Sequence, residues 1–196
     1  MDLFVIVLSI AMSERYKQLN MLLKSVEGRA MPISFWKKVR ETYNELSRLT
    51  KTLDDLISPI VLLSFANNLY FICLQLLNSL KPMNSIWHAI YFVYSFSYLV
   101  LRMTAVSLYA AAIYEQSKAT KSVLFSVPSD NYCIEVSRMI LQIASDELLL
   151  TGCRFFSVTR TLILTVAGTI VTYEIVLVQF NAVNADIKRN RTLVCM

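Results

Sequence analysis

A chain of 196 residues that is 56% hydrophobic, with only 3 Gly and 4 Pro, is too apolar and too poor in turn residues for a soluble domain; it reads as a membrane protein. Its formal net charge of +5 would suit nucleic acid, but the basic residues lie in stretches flanking apolar runs, the pattern of positively charged loops beside a membrane. Those runs are about 20 residues long without period-two alternation, which argues against a transmembrane barrel and for helices.

Taken in order, residues 1–13 hold the apolar stretch Leu3–Met12 between Asp2 and Glu14, too short to span a bilayer. With no basic leader and no small-residue cleavage site it makes a poor signal peptide, and it reads as the inner end of a longer membrane helix, in a chain that is itself partial. Residues 14–55 are polar, helical in pattern and carry nine Lys or Arg. Gly28 and Pro32 mark a break, after which Trp36, Val39, Tyr43, Leu46, Leu49 and Leu53 recur at three- and four-residue steps, an amphipathic helix leading to the membrane.

Residues 56–80 are free of formal charge and form the first complete span, with Pro59 able to kink it. Asn67, Asn68 and Gln75 within it are costly in lipid unless bonded or wetted. After a turn at Lys81–Ser85, residues 86–114 form a second span with an inner extension. Its outer half carries Trp87, Tyr91, Phe92, Tyr94, Phe96 and Tyr98, more aromatics than an interfacial belt needs, so some must face inward. Pro128 and Ser129-Asp130-Asn131 read as a turn and cap before an amphipathic helix over 130–150, which Gly152 ends. Residues 155–181 form the last span, and 182–196 a polar tail with a sequon at Asn190-Arg191-Thr192. The amphipathic segments Trp36–Asp55 and Asn131–Leu150 each have an apolar stripe to cover, which predicts that they pack together.

Nine basic residues precede the first span and one, Lys81, follows it, so the positive-inside rule puts the first segment in the cytosol and the tail outside. The fold expected is an all-α integral membrane bundle: three complete transmembrane helices, the end of a fourth, and cytosolic helical extensions. In the last span Thr161, Thr165, Gly168, Thr169, Thr172, Val176 and Gln179 fall within roughly 60° of one direction, with Phe180 just beyond and Glu174 opposite. Small and polar residues on one face serve either close helix packing, the commoner use, or a water-filled path.

The four cysteines show no paired spacing and His88 is the only histidine, so neither a disulfide framework nor a metal site is expected. A Gly-rich phosphate loop and a nucleophile–base motif are also missing, so the chain does not read as an enzyme, and no cofactor is expected.

Three stretches together resemble insect gustatory receptors: Leu53-Asp54-Asp55-Leu56 through Ser64-Phe65-Ala66-Asn67-Asn68-Leu69-Tyr70 to Gln75; Ala105-Val106-Ser107-Leu108-Tyr109; and Thr172-Tyr173-Glu174 through Gln179-Phe180. With Phe155-Phe156-Ser157-Val158-Thr159-Arg160, the pattern is similar to the sugar-sensing subfamily. The resemblance covers about Lys37 to Phe180, the C-terminal part of a seven-helix receptor. It implies a tetrameric, ligand-gated, non-selective cation channel of the plasma membrane, built from like or related subunits in membrane lipid, with the last helix lining the pore.

On that reading Thr172, Val176, Gln179 and Phe180 form the outer pore and gate. Trp87, Tyr91, Tyr94 and Tyr98, with Asn67, Asn68 and His88, supply flat faces and hydrogen bonds for a sugar tastant. The competing reading is a non-conducting membrane scaffold or auxiliary subunit.

Overall fold

The computed structural model describes residues 1–29, 31–79, 86–125, 127, 132–173, 175, 176 and 179. The side chains of residues 79, 88 and 89 are outside that description, as are Glu174, Phe180, the turn at Lys81–Ser85 and the tail with its sequon. Three long helices and a short one lead the described residues: α1 (Asp2–Ser25), α2 (Ile33–Ser79), α3 (Ile86–Phe125) and α4 (Ile134–Ser145). A small antiparallel hairpin follows, β1 (Thr151–Gly152) with β2 (Phe156–Ser157), pairing Thr151 with Ser157 and Gly152 with Phe156. A further apolar helix, α5 (Arg160–Tyr173), comes after it.

The chain divides into two units. The first comprises Met1–Ser64 and Ala105–Arg160. Its core is a helical seam with heptad spacing. On α1 the seam runs through the buried Val5, Ser9, Met12, Tyr16, Leu19 and Leu23, flanked by the buried Asp2 and Asn20. On α3 it runs through the buried Val106, Ala110, Ile113, Ser117, Thr120 and Leu124, flanked by the buried Ser107, Ala111 and Val123. Alternating steps of three and four keep one stripe of each helix inward, which is the geometry of knobs-into-holes packing. Each fully buried apolar side chain contributes about 1.5–3 kcal/mol by leaving water.

On α2 the buried stripe differs from the one expected. Trp36, Val39 and Tyr43 are buried as predicted, but Ser47 and Thr50 continue the stripe, while Leu49 is 53% exposed. The polar residues win the inward positions because each finds a hydrogen-bond partner there. Pro59 lies within α2 without ending it.

α1 stops where Val26 donates its N–H back to Leu23 O and Gly28 takes φ +77°. The break expected at Gly28 and Pro32 is therefore present. The helix expected over 130–150, whose first two residues lie outside the described ones, stops early: α4 ends at Ser145, because Asp146 turns extended (φ −81°, ψ 125°) and spends its carboxylate on α2. The last helix likewise starts at Arg160 rather than 155, the hairpin taking the residues before it.

The second unit comprises Phe65–Thr104 and Thr161–Met196. Its helices show apolar side chains outward: Leu69, Phe71 and Leu77 on α2, Ile90 and Val93 on α3, Leu164 and Val171 on α5. Two helices among the described residues, over Ile33–Asn78 and Ile90–Phe125, are long and apolar enough to cross a membrane. Only 33% of each apolar window is buried, whereas the core helix of a soluble protein would be mostly covered; these surfaces suit lipid.

Candidate functional site

The first unit is laced across its helices by hydrogen bonds. Tyr16 OH lies 2.9 Å from Thr50 Oγ1, and since Thr50 donates its own proton to Leu46 O, Tyr16 is the donor. Asn20 donates to Gln116 O at 2.8 Å and accepts from Thr120 at 2.6 Å, joining α1 to α3. Near the start of α1, Ser64 donates to the buried Asp2. Tyr16 and Tyr43 meet edge to face, centroids 6.1 Å apart. Burial pushes the Tyr16 hydroxyl up to about 12 and raises Tyr43 further, so both stay neutral at any physiological pH.

Asp146 is the hub. Its carboxylate accepts from Ser47 at 2.9 Å and from Lys51 at 2.8 Å. Lys118 of α3 donates to Ile143 O and Asp146 O, capping the carbonyl end of α4 with a cation as the helix dipole favours. Burial alone would raise the Asp146 carboxyl. The hydrogen bonds from Lys51 and Ser47 and the charge of Lys51 outweigh it, holding the group below the usual carboxylate range.

At the other end of α4, Arg40 donates to Glu135 at 2.6 Å and Arg138 at 3.1 Å. The Arg40 bond, opposed by burial and aided by both guanidinium charges, holds Glu135 low as well. With Asn44–Gln142 at 3.2 Å and Asp54–Thr151 at 2.6 Å, α2 is tied to α4 and the hairpin along its length. The expected packing of these two segments is what the structure has, and the ties are more polar than their apolar stripes suggested.

In the second unit α5 carries the expected polar stripe. Thr165, Thr169 and Thr172 donate their hydroxyl protons to the carbonyls of Thr161, Thr165 and Gly168, four residues back, at 2.9–3.1 Å. A cleft of about 640 Å³ lies between α5 and α2, lined by Leu69, Cys73, Leu76, Leu77, Thr165, Val166, Thr169, Ile170 and Tyr173. Its α5 residues centre about 90° round the helix from Thr172, at about 100° per residue. The stripe is thereby divided. Thr165 and Thr169 edge the cleft, whereas Thr161, Gly168, Thr172 and Gln179 are exposed on another side. A Cβ added at Gly168 would meet nothing within 4 Å, so its smallness is not used for packing inside this chain.

Val176, on that stripe, is exposed; Phe180 and the opposing Glu174 lie outside the described residues. Of the expected ligand residues, Trp87, Tyr91, Tyr94 and Tyr98 form one exposed row along α3. The aromatics turned further inward are Phe92 and Phe96, stacked at 5.9 Å and 8°. Asn67 is exposed on α2 and its neighbour Asn68 is buried; the side chain of His88 is outside the described residues. Among the described residues no group of three His, Cys, Asp or Glu is placed to hold a metal ion.

Sequence reasoning missed the Asp146 hub and the hairpin. Asp146 sits in a run that continues the helical pattern, and nothing local marks it as an end. The hairpin turns on Cys153 (φ +50°) and Arg154 (φ +62°), residue types that do not announce a left-handed turn.

A family model described as Trehalose receptor matches residues 1–195. The gustatory receptor for sugar taste 64f of Drosophila melanogaster is 47% identical over 184 residues, 94% of this chain and 39% of that protein. The gustatory receptor 5a for trehalose of the same fly is 44% identical over 92% of this chain and 41% of its own length. This chain thus spans about two fifths of these relatives' length. The solved insect olfactory receptor OR5 from Machilis hrabei superposes with a TM-score of 0.73 at 22% identity, covering 91% of this chain and 47% of that one.

Proposed function

The chain belongs to the trehalose receptor family of insect gustatory receptors, which are multi-pass membrane chemoreceptors, and from that premise we propose that it is part of a sweet-taste receptor subunit. In this proposal four like or related subunits surround a pore in the plasma membrane, and binding of a sugar opens it to cations without strong selection. The segment before the first span lies in the cytosol and the C-terminus outside.

The observation that carries the proposal is the exposed side of α5. Thr172 gives its proton to Gly168 O, so only the lone pairs of its oxygen point outward. An acceptor oxygen turned this way needs no partner helix and suits hydrated cations over anions. Gln179 extends the same face with a neutral amide, and a ring of Phe180 side chains would close it by dewetting. Sugar as the ligand class is suggested by the names of the two fly relatives, one for sugar taste and one for trehalose. The exposed row Trp87, Tyr91, Tyr94 and Tyr98 offers flat apolar faces for sugar C–H surfaces and hydroxyls for its polar edge, with Asn67, Asn68 and His88 as further donors and acceptors.

The test is recording from a full-length receptor carrying this stretch, with surface expression measured in parallel. Gln179→Lys should suppress cation current, Gln179→Glu should keep or raise it, and Phe180→Ala should raise current without ligand. Equal loss for Lys and Glu at equal surface level would sink the pore assignment, since packing damage has no dependence on the sign of charge.

A further inference from the structure

Three uncharged runs end on charged residues that are tied together in the first unit. Asp54 and Asp55 precede the run from Leu56, Glu115 follows the run from Met103, and Arg160 precedes the run from Thr161. Asp54 accepts the backbone N–H of Thr151 at 2.6 Å, Arg154 pairs with Asp55 at 3.4 Å, and Arg160 pairs with Glu115. The hairpin therefore sits at the level where the chain passes from charged to uncharged sequence.

Its base is rigid. Val158 donates its N–H to Leu150 O at 2.8 Å, and both side chains are buried. The Phe156 ring lies so close over Gly152 that a Cβ there would stand 2.5 Å from it. The turn closes with Phe155 N–H on Gly152 O at 2.9 Å, through two non-glycine residues of positive φ. This uncommon backbone serves one visible end: it thrusts Phe155 outward, 82% exposed, beside the exposed Arg154. Leu56, one residue beyond the Asp55 partner of Arg154, is exposed too.

We propose that the hairpin tip is a membrane-interface anchor, with Phe155 and Leu56 in the boundary between acyl chains and headgroups and Arg154 facing lipid phosphate. Phe and Leu beside a basic side chain suit that boundary, and the exposed Arg154, only loosely paired with Asp55 at 3.4 Å, can still meet anionic headgroups. Leu56 and Leu63, seven residues apart, share one exposed side of α2, the side read as facing acyl chains, and this favours lipid over a second copy of the chain as the occupant. The inference rests on the reading that α2, α3 and α5 cross the bilayer. Because α5 begins three residues after β2, the anchor fixes the depth at which that helix starts.

The experiment places p-benzoylphenylalanine in place of Phe155, and separately of Leu63, in the full chain reconstituted into phosphatidylcholine vesicles containing phosphatidylserine. Both side chains are exposed, so neither change disturbs the fold. After illumination, mass spectrometry should find lipid adducts at both positions. Lipid adducts at Leu63 with none at 155, or with adducts at 155 joining a second copy of the chain, overturn the anchor alone. Loss of lipid adducts at both positions overturns the membrane-spanning reading and the anchor with it.

Discussion

The helices of the first unit and α5 of the second satisfy their polar side chains differently. In the first, side chains far apart in sequence meet: Asn20 with Thr120, Arg40 with Glu135, Ser47 with Asp146, Asp54 with Thr151. In the second, the threonine hydroxyls of α5 bond to its own backbone, and much of the apolar surface faces outward. The first unit specifies its own geometry, because buried polar groups must find particular partners or lose about 1–3 kcal/mol each. The second leaves a face whose local polar needs are met and whose surroundings complete it.

The largest test of this contrast is a pair of truncations. Ile113 is fully buried in the first unit, and Ile113→Ala should cost about 2–5 kcal/mol. Leu164 is 74% exposed on α5. Leu164→Ala should cost within about 0.5 kcal/mol, as exposed changes do. Denaturant unfolding in detergent measures both, and comparable losses would erase the distinction.

Next in size is the hub. Asp146→Ala removes two charge-assisted bonds at a partly exposed site and should cost about 1.5–3 kcal/mol. The native carboxylate is held below its ordinary value, so the stability it contributes is complete above about pH 4 and is lost as pH falls through the lowered value. Thermal unfolding against pH should show this acid loss in the native chain and a smaller one in Asp146→Ala. An unchanged acid limb would remove Asp146 from the account.

Gly152→Val drives a branched side chain into the Phe156 ring and should cost about 1–3 kcal/mol through overpacking. A melt unaffected by it would mean that the hairpin is not rigidly seated. The smallest effect belongs to Thr172→Val, whose lost hydroxyl served only its own helix; stability should move by no more than about 0.5 kcal/mol. A larger loss would place Thr172 against a packed neighbour and weaken the pore reading.

Much was legible beforehand. Charge-free runs of 20 residues or more, the break at Gly28 and Pro32, and the amphipathic pattern around Trp36 and Tyr43 each follow from local composition and period. So does the one-sided placement of hydroxyls on α5, since helical geometry projects any sequence onto faces without reference to a partner.

Tertiary structure decided which of two near-equal stripes on α2 turns inward. Leu46 and Leu49 lose those places to Ser47 and Thr50, because Asp146 and Tyr16 stand opposite to bond them. It also decided where α4 ends, since Asp146 leaves the helix for partners about a hundred residues away in sequence. It divided the stripe on α5 by setting α2 beside Thr165 and Thr169 and not beside Thr172. Period and composition report what a segment can bury. Which groups meet across helices depends on partners that local sequence does not contain.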